Sequence, residues 1–318
     1  MQSVIVLIPI FNDWTALELV LRGLDRIAEK LAPMTVVVVD DASTTGPDAG
    51  FCADPFVALT TVVRVRLRRN LGHQRAISVG LVYIYETYPD AVTVIMDGDG
   101  EDRPEDIPIL LAKFNAEEGR KIVFAERARR TESFLFKFFY VFYKALHLAL
   151  TGIPVRVGNF SVVPYSCLSS LVVISEIWNH YAAAVLNARL PHDTIPVPRG
   201  HRLEGKSKMD FVALVTHGLS ALSVYSDRVG VRLLVASSVT IALSTVVVLV
   251  TSIVHFRAAA IYVIGLPIVL LALAAAMGFV FVLFTLKGRS GALFLPIRDC
   301  PYFIGGVTRL DHTSDISG

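Results

Sequence analysis

Hydrophobic and polar positions in the first 125 residues alternate between two periods. Short β-branched runs at Ser3–Ile10, Thr35–Val39, Thr61–Val65, Val92–Met96 and Ile122–Phe124 predict strands. Amphipathic stretches at Trp14–Leu31, His73–Tyr88 and Pro104–Glu118 predict helices. Strand and helix in alternation imply an α/β fold whose mostly parallel sheet is covered on both faces. The unbroken run "TVVVVDD" fits a strand buried on both sides.

Residues 126–210 are less regular. A basic loop, "ERARRTES", precedes the aromatic stretch "FLFKFFYVFYKALHLAL" (134–150), which reads either as a buried core helix or as a helix in a membrane interface. Further on, Leu233–Val254 runs 22 residues without a charge and Ala258–Leu286 runs 29. At about 1.5 Å per residue the shorter run reaches roughly 33 Å, against a hydrocarbon core of about 30 Å. The pattern therefore predicts a transmembrane hairpin over 229–287, with helices at about 231–255 and 258–286. Arg228 and Arg232 precede it and Lys287, Arg289 and Arg298 follow, against the single Arg257 in the turn. That bias predicts a multi-pass membrane protein with both termini cytoplasmic. The resulting division is a cytoplasmic domain at 1–228, the hairpin, and a polar tail at 288–318. Homo-oligomers through the hairpins are compatible with it.

Composition adds exclusions. Of the 318 residues 53% are hydrophobic, and the excess sits in the two long runs. A net charge of +2 gives no reason to expect a nucleic-acid partner. Cys52, Cys167 and Cys300 are widely spaced and lack a CxxC, which fits reduced structural thiols. The start, "MQSVIVLIPIFND", has no basic n-region and reads as a strand, not a signal peptide. GxGxxG after a strand, GxxxxGK[ST], GxSxG and HExxH are all missing.

Candidate chemistry lies where strands end, because open α/β sheets bind ligands beyond the carboxyl ends of their strands. The endings are "PIFND" (9–13), "DDAS" (40–43), "RNLGHQRA" (69–76) and "DGDGED" (97–102). Asn and Asp there can hydrogen-bond a base and ribose, and Gly72 lets backbone approach a ligand. Asp97 and Asp99, two apart at a strand end, point the same way in extended geometry and suit Mg²⁺ or Mn²⁺. The acids from Asp102 onward read as a helix start, with Pro104 near the first position. Glu101 stands between the two groups.

With these endings in view, the chain resembles glycosyltransferase family 2. It is similar in particular to the branch holding dolichyl-phosphate mannose synthases and bacterial polyprenyl-phosphate glucosyl- and arabinosyl-type transferases. The resemblance rests on "VIVLIPIFND", "VVVVDDAS", "RNLGHQRAISVGL", "IMDGDGEDRPEDI", "GNFSVVPYS", "RLEGKSK" and "GLSALSVYSDRVGVRL", in that order. It implies a GT-A fold with a nucleotide-sugar donor, a divalent metal and a polyprenyl-phosphate acceptor, joined in an inverting transfer at the cytoplasmic face. Pro9, Asn12, Asp40, Asp41, Asn70, Gly72, Gln74 and Asp97 would then bind the donor, and Asp97, Asp99 and Glu101 the metal. Arg127, Arg130, Arg202, Ser207 and Lys208 would hold the acceptor phosphate. Asp99, Arg127, Arg130, Asn159 and Lys208 would stand at the reacting atoms. Asp13 stands where the family usually has Glu, and Asn159 and Ser161 stand where relatives carry Asp and, after Phe, Arg. An Asn cannot act as a base, yet a lipid monophosphate is already largely ionised near pH 7. A family 2 transferase for another lipid or glycan, and a non-catalytic membrane scaffold, stay open as alternatives. Processive polysaccharide synthases are disfavoured, since no QxxRW occurs.

Overall fold

The structure, a computed structural model, describes residues 2–31, 33–48, 50–127, 134–154, 157–198, 200–204, 211–254, 259–288 and 294–310. The chain divides into two compact units: Met1–Glu132, Arg156–Asp210 and Ser290–Gly318 form the first, Ser133–Val155 and Phe211–Arg289 the second.

In the first unit, β1 (Val4–Ile10), β2 (Met34–Asp40), β3 (Leu59–Leu67) and β4 (Val92–Ile95) run parallel in the order β4-β1-β2-β3. Helix α1 (Trp14–Ala28) links β1 to β2, and α2 (His73–Thr87) links β3 to β4. A 3-10 turn at Pro104–Asp106 and α3 (Ile107–Ala116) lead into β5 (Ile122–Arg127). Helix α4 (Phe134–Thr151) then belongs to the second unit. The chain returns as β6 (Val157–Val163), which inserts antiparallel between β4 and β5. After α5 (Tyr165–Leu171) and α6 (Tyr181–Asn187), β7 (His192–Val197) pairs parallel outside β5. Helices α7 (Phe211–Ser223), α8 (Ser226–Val254) and α9 (Ala259–Gly288) fall in the second unit. Helix α10 (Pro296–Asp299) precedes β8 (Ile304–Arg309), which closes the far edge antiparallel to β3. The sheet order is β7-β5-β6-β4-β1-β2-β3-β8. The expected α/β fold with a mostly parallel sheet is thus present. Strands β6, β7 and β8, interrupted by polar residues, glycine or proline, are the ones periodicity did not reveal.

Alternation along β1 sorts its side chains between two cores. Ile5 and Leu7 join Val37, Val39, Ile77 and Leu81 on the α2 face. Val6 and Ile8 join Leu17, Leu21, Val36 and Val38 on the α1 face. Strand β1 pairs with β2 on one side and β4 on the other, so the chain order reverses there. That is the switch point at which an open sheet gapes. Pro9 widens it: the β1–β4 pairing stops at Leu7 and Ile95, and Pro9 has no N–H to extend it.

The second unit packs α8 against α9 and α4. Arg232 donates from Nη1 to the Ala149 carbonyl at 2.7 Å, beside Gly152, whose missing Cβ leaves room for the guanidinium. The transmembrane hairpin requires correction. Helices form where the uncharged runs lie, but among the described residues no helix is long and apolar enough to cross a membrane. The multi-pass location falls with the hairpin.

Candidate active site

Four strand ends converge at the switch point, and each carries the polar residues expected of it. Past β1, Asn12 adopts φ +54° and turns its side chain onto the loop after β2. Its Oδ1 accepts from the Thr44 and Thr45 amides at 2.8 and 3.0 Å, and its Nδ2 donates to Thr44 Oγ1 at 2.9 Å. The amide expected to read a base thus folds the neighbouring loop.

At the end of β2 the two adjacent acids point to different partners. Asp40, fully buried, accepts from the Ser43 amide at 2.8 Å and pairs with Arg64 of β3. Asp41 accepts from the Leu71 and Gly72 amides at 2.7 and 2.8 Å. Burial raises its pKa, and those two N–H groups oppose the rise without cancelling it. The acceptor pair shapes the turn into α2, where Gly72 takes φ +95° and ψ 153°, a region open essentially to glycine. Asn70 lies exposed just before this turn.

Helix α2 starts with two residues that reach across to β4 and β6. The Nε2 of His73 lies 3.2 Å from Asp97 Oδ1 and 3.1 Å from Asn159 Nδ2. Desolvation disfavours the charged ring, though 42% of the side chain stays exposed, and the charges of Asp97, Asp102 and Asp99 outweigh it and raise the pKa. Gln74 donates to Asn159 Oδ1 at 3.2 Å and accepts from the Tyr181 amide at 2.8 Å. Because β6 runs antiparallel to β4 and Ser161 sits opposite Ile95, Asn159 is carried to the same end of the sheet as Asp97. Ser161 is buried, 2.9 Å from the Tyr181 hydroxyl, and so packs inside the sheet.

The acidic run after β4 opens a helical turn at Pro104, but Asp102, expected in that helix-starting group, turns back to the loop instead. Asp102, buried, accepts from the Asp97 amide at 2.9 Å and braces the loop. Asp99 accepts from the Glu101 amide at 3.0 Å and from Arg202 Nη1 at 2.9 Å. Burial and the nearby Asp97 charge raise its pKa against the pull of that N–H and of Arg202. Arg202 also donates from Nη2 to Asp13 Oδ2 at 2.9 Å, tying the ends of β1 and β4 together.

The structure therefore gathers Pro9, Asn12, Asp40, Asp41, Gly72, Gln74, Asp97, Asp99, Asn159 and Arg202 around one end of the sheet. Arg127 closes β5, with its side chain outside the described ones. Arg130, Ser207 and Lys208 also lie outside the described residues. Two participants escaped the sequence reading. His73 was one of eight scattered histidines, and only its place at a helix start after a strand-end glycine sets it apart. Asp13 was read as a departure from a family pattern, without a partner in view. As for the expected metal, among the described residues no three His, Cys, Asp or Glu side chains gather to hold an ion. The donor set still fits a hard cation in kind: Asp97 and Asp99 offer carboxylate oxygens beside a crevice, and Mg²⁺ or Mn²⁺ takes one or two carboxylates and fills its remaining positions from water and phosphate.

Comparison with known proteins agrees with this geometry. The chain is 26% identical over 197 residues to an undecaprenyl-phosphate 4-deoxy-4-formamido-L-arabinose transferase of Serratia proteamaculans, covering 62% of this chain and 55% of that protein. It is 28% identical over 227 residues to the protein of that name from Pseudomonas fluorescens, covering 67% and 62%. The chain thus spans somewhat over half the length of these relatives. Among solved structures, glucosyl-3-phosphoglycerate synthase from Mycobacterium tuberculosis, crystallised with Mn²⁺, UDP-glucose and phosphoglyceric acid, aligns with TM-score 0.50 and 16% identity over 72% of this chain and 80% of that one. That likeness speaks for the fold. The glycosyl transferase family 2 model matches residues 5–165, and on this match the chain belongs to glycosyl transferase family 2.

Proposed function

We propose that the chain transfers a sugar from a nucleotide sugar to a polyprenyl phosphate. The observation that carries the reading is the convergence of Asp40, Asp41, Asp97 and Asp99 on the switch point of the sheet, in a chain whose relatives bear the name undecaprenyl-phosphate sugar transferase. The loop from Asp40 to Thr45, stiffened by Asn12, borders the crevice where base and ribose would lie. The Gly72 turn, drawn in by Asp41, would bring the start of α2 close to a bound diphosphate, and helix starts favour negative charge. Asp97 and Asp99 would hold Mg²⁺ or Mn²⁺, whose charge would stabilise the departing nucleoside diphosphate.

Asn159 supports this choice of acceptor. Its amide is engaged by Gln74 and His73 and cannot take a proton from a nucleophile. A phosphate monoester, with a second pKa around 6, has no need of such a base near neutral pH. An alcohol acceptor would have that need. The test is incubation of the purified chain with labelled UDP- and GDP-sugars, undecaprenyl or dolichyl phosphate, and Mg²⁺ or Mn²⁺. Lipid-linked label is the expected product. Failure with every pair would favour a vestigial nucleotide-sugar fold.

A further inference from the structure

Arg202 holds a position that any cation on Asp99 must contest. Its guanidinium bridges Asp99 Oδ2 and Asp13 Oδ2, each at 2.9 Å, and its Nε donates to the Glu204 carbonyl at 3.0 Å. All three charged side chains are largely withdrawn from water, at 18% exposure for Arg202, 20% for Asp99 and 26% for Asp13. The other oxygen of Asp99 accepts from the Glu101 amide. A divalent ion on Asp99 Oδ2 therefore shares that oxygen with a guanidinium or displaces it, and one on Oδ1 still faces the like charge of Arg202 across the same carboxylate.

The contact is built into the backbone. Gly200 donates to the Glu101 carbonyl and Leu203 to the Asp99 carbonyl, both at 3.0 Å. Leu203 covers Gly100 so closely that a Cβ there would overlap it. Segment 200–204 is thus seated on the acidic loop and delivers Arg202 to it. A diphosphate offers the guanidinium a better partner than two separate carboxylates, with more charge and matched oxygens for paired N–H bonds.

From this exchange of partners we infer that Arg202 is an internal counter-ion that couples the two ligands of the crevice. While it bridges Asp13 and Asp99, a divalent cation binds weakly. When a nucleotide diphosphate draws Arg202 away, Asp99 becomes available and the cation binds tightly. By linkage, the cation strengthens nucleotide binding by the same factor. The inference rests on the reading of the crevice as a nucleotide-diphosphate site.

The experiment titrates MnCl₂ into the full chain, with free Mn²⁺ read by electron paramagnetic resonance, alone and with saturating UDP or GDP. Unmodified protein should bind Mn²⁺ at least about fivefold more tightly with a nucleotide present. Arg202→Gln should tighten Mn²⁺ binding without nucleotide by a similar factor and abolish most of the enhancement. Asp13→Asn, which leaves Arg202 and Asp99 intact, should move both quantities the same way to a smaller extent and guards against misfolding of the first variant. Unchanged or weaker Mn²⁺ binding in both variants overturns the coupling while leaving a nucleotide site standing. No binding of Mn²⁺, UDP or GDP to any of the three proteins overturns the coupling and the nucleotide reading together. Transfer to lipid is measured separately and does not enter this outcome.

Discussion

Gly100→Ala isolates the seating of segment 200–204 on the acidic loop. Gly100 has φ +84°, so alanine meets a backbone penalty of about 1–2 kcal/mol before any contact is considered. The new Cβ would also overlap the Leu203 side chain, and relieving such overpacking takes about 1–3 kcal/mol. Together the substitution should destabilise the first unit by about 2–5 kcal/mol. Leu203 is 49% exposed, so Leu203→Ala alone should remove less than about 1 kcal/mol. In the double variant the overlap disappears and only the backbone penalty remains. The cycle should therefore show a coupling of about 1–3 kcal/mol. Both tryptophans, Trp14 and Trp178, lie in the two cores of the first unit, so urea unfolding followed by their fluorescence reports on that unit. A coupling of zero would refute the packing argument and, with it, the picture of a segment locked over Asp99.

Three further substitutions test other parts of the frame. Gly80→Ala gains about 1 kcal/mol of helix propensity, but its Cβ would collide with Leu7 and lie 2.8 Å from Val39; net destabilisation in the same assay is expected. Gln74→Leu leaves the buried Tyr181 amide without its acceptor and should lower stability by about 1–3 kcal/mol, with weaker UDP binding by calorimetry. Asp25 accepts from the amides of Val57, Ala58 and Leu59. Burial would raise its pKa, but those bonds and Arg22 outweigh burial and lower it. A lowered folded-state pKa gives stability that is complete above the unfolded value of about 3.9 and fades as pH falls through the folded one. The advantage of the unmodified chain over Asp25→Asn, about 1–3 kcal/mol at pH 7, should shrink in acid denaturation series below about pH 4.

The parallel half of the sheet was legible because its strands are β-branched runs with turn-forming polar ends, and both features are local. The helix start at Pro104 was legible for the same reason, whereas the use of Asp102, which accepts from the Asp97 amide instead of serving the helix, was not. What local pattern could not supply was the use of each polar group. Asn12 looked like a base reader, yet the left-handed turn at this residue aims its amide at Thr44 and Thr45. Asp13 and Arg202 are 189 positions apart, and only the fold makes them partners. His73 was invisible until antiparallel β6 placed Asn159 beside it. The hairpin failed for a different reason. A long uncharged run is necessary for a span without being sufficient, and among the described residues no helix is long and apolar enough to cross a membrane.

A crystal structure with UDP and Mn²⁺ would locate both the nucleotide and the ion, the ion by its anomalous signal. The expected result is a manganese peak against Asp97 and Asp99, with the uridine beside Asp40 and Asp41. A peak and nucleotide elsewhere would contradict it. The alternative place to look is the cavity of about 470 Å³ lined by Thr35, Tyr88 and Arg309, near the starting ends of β2 and β3.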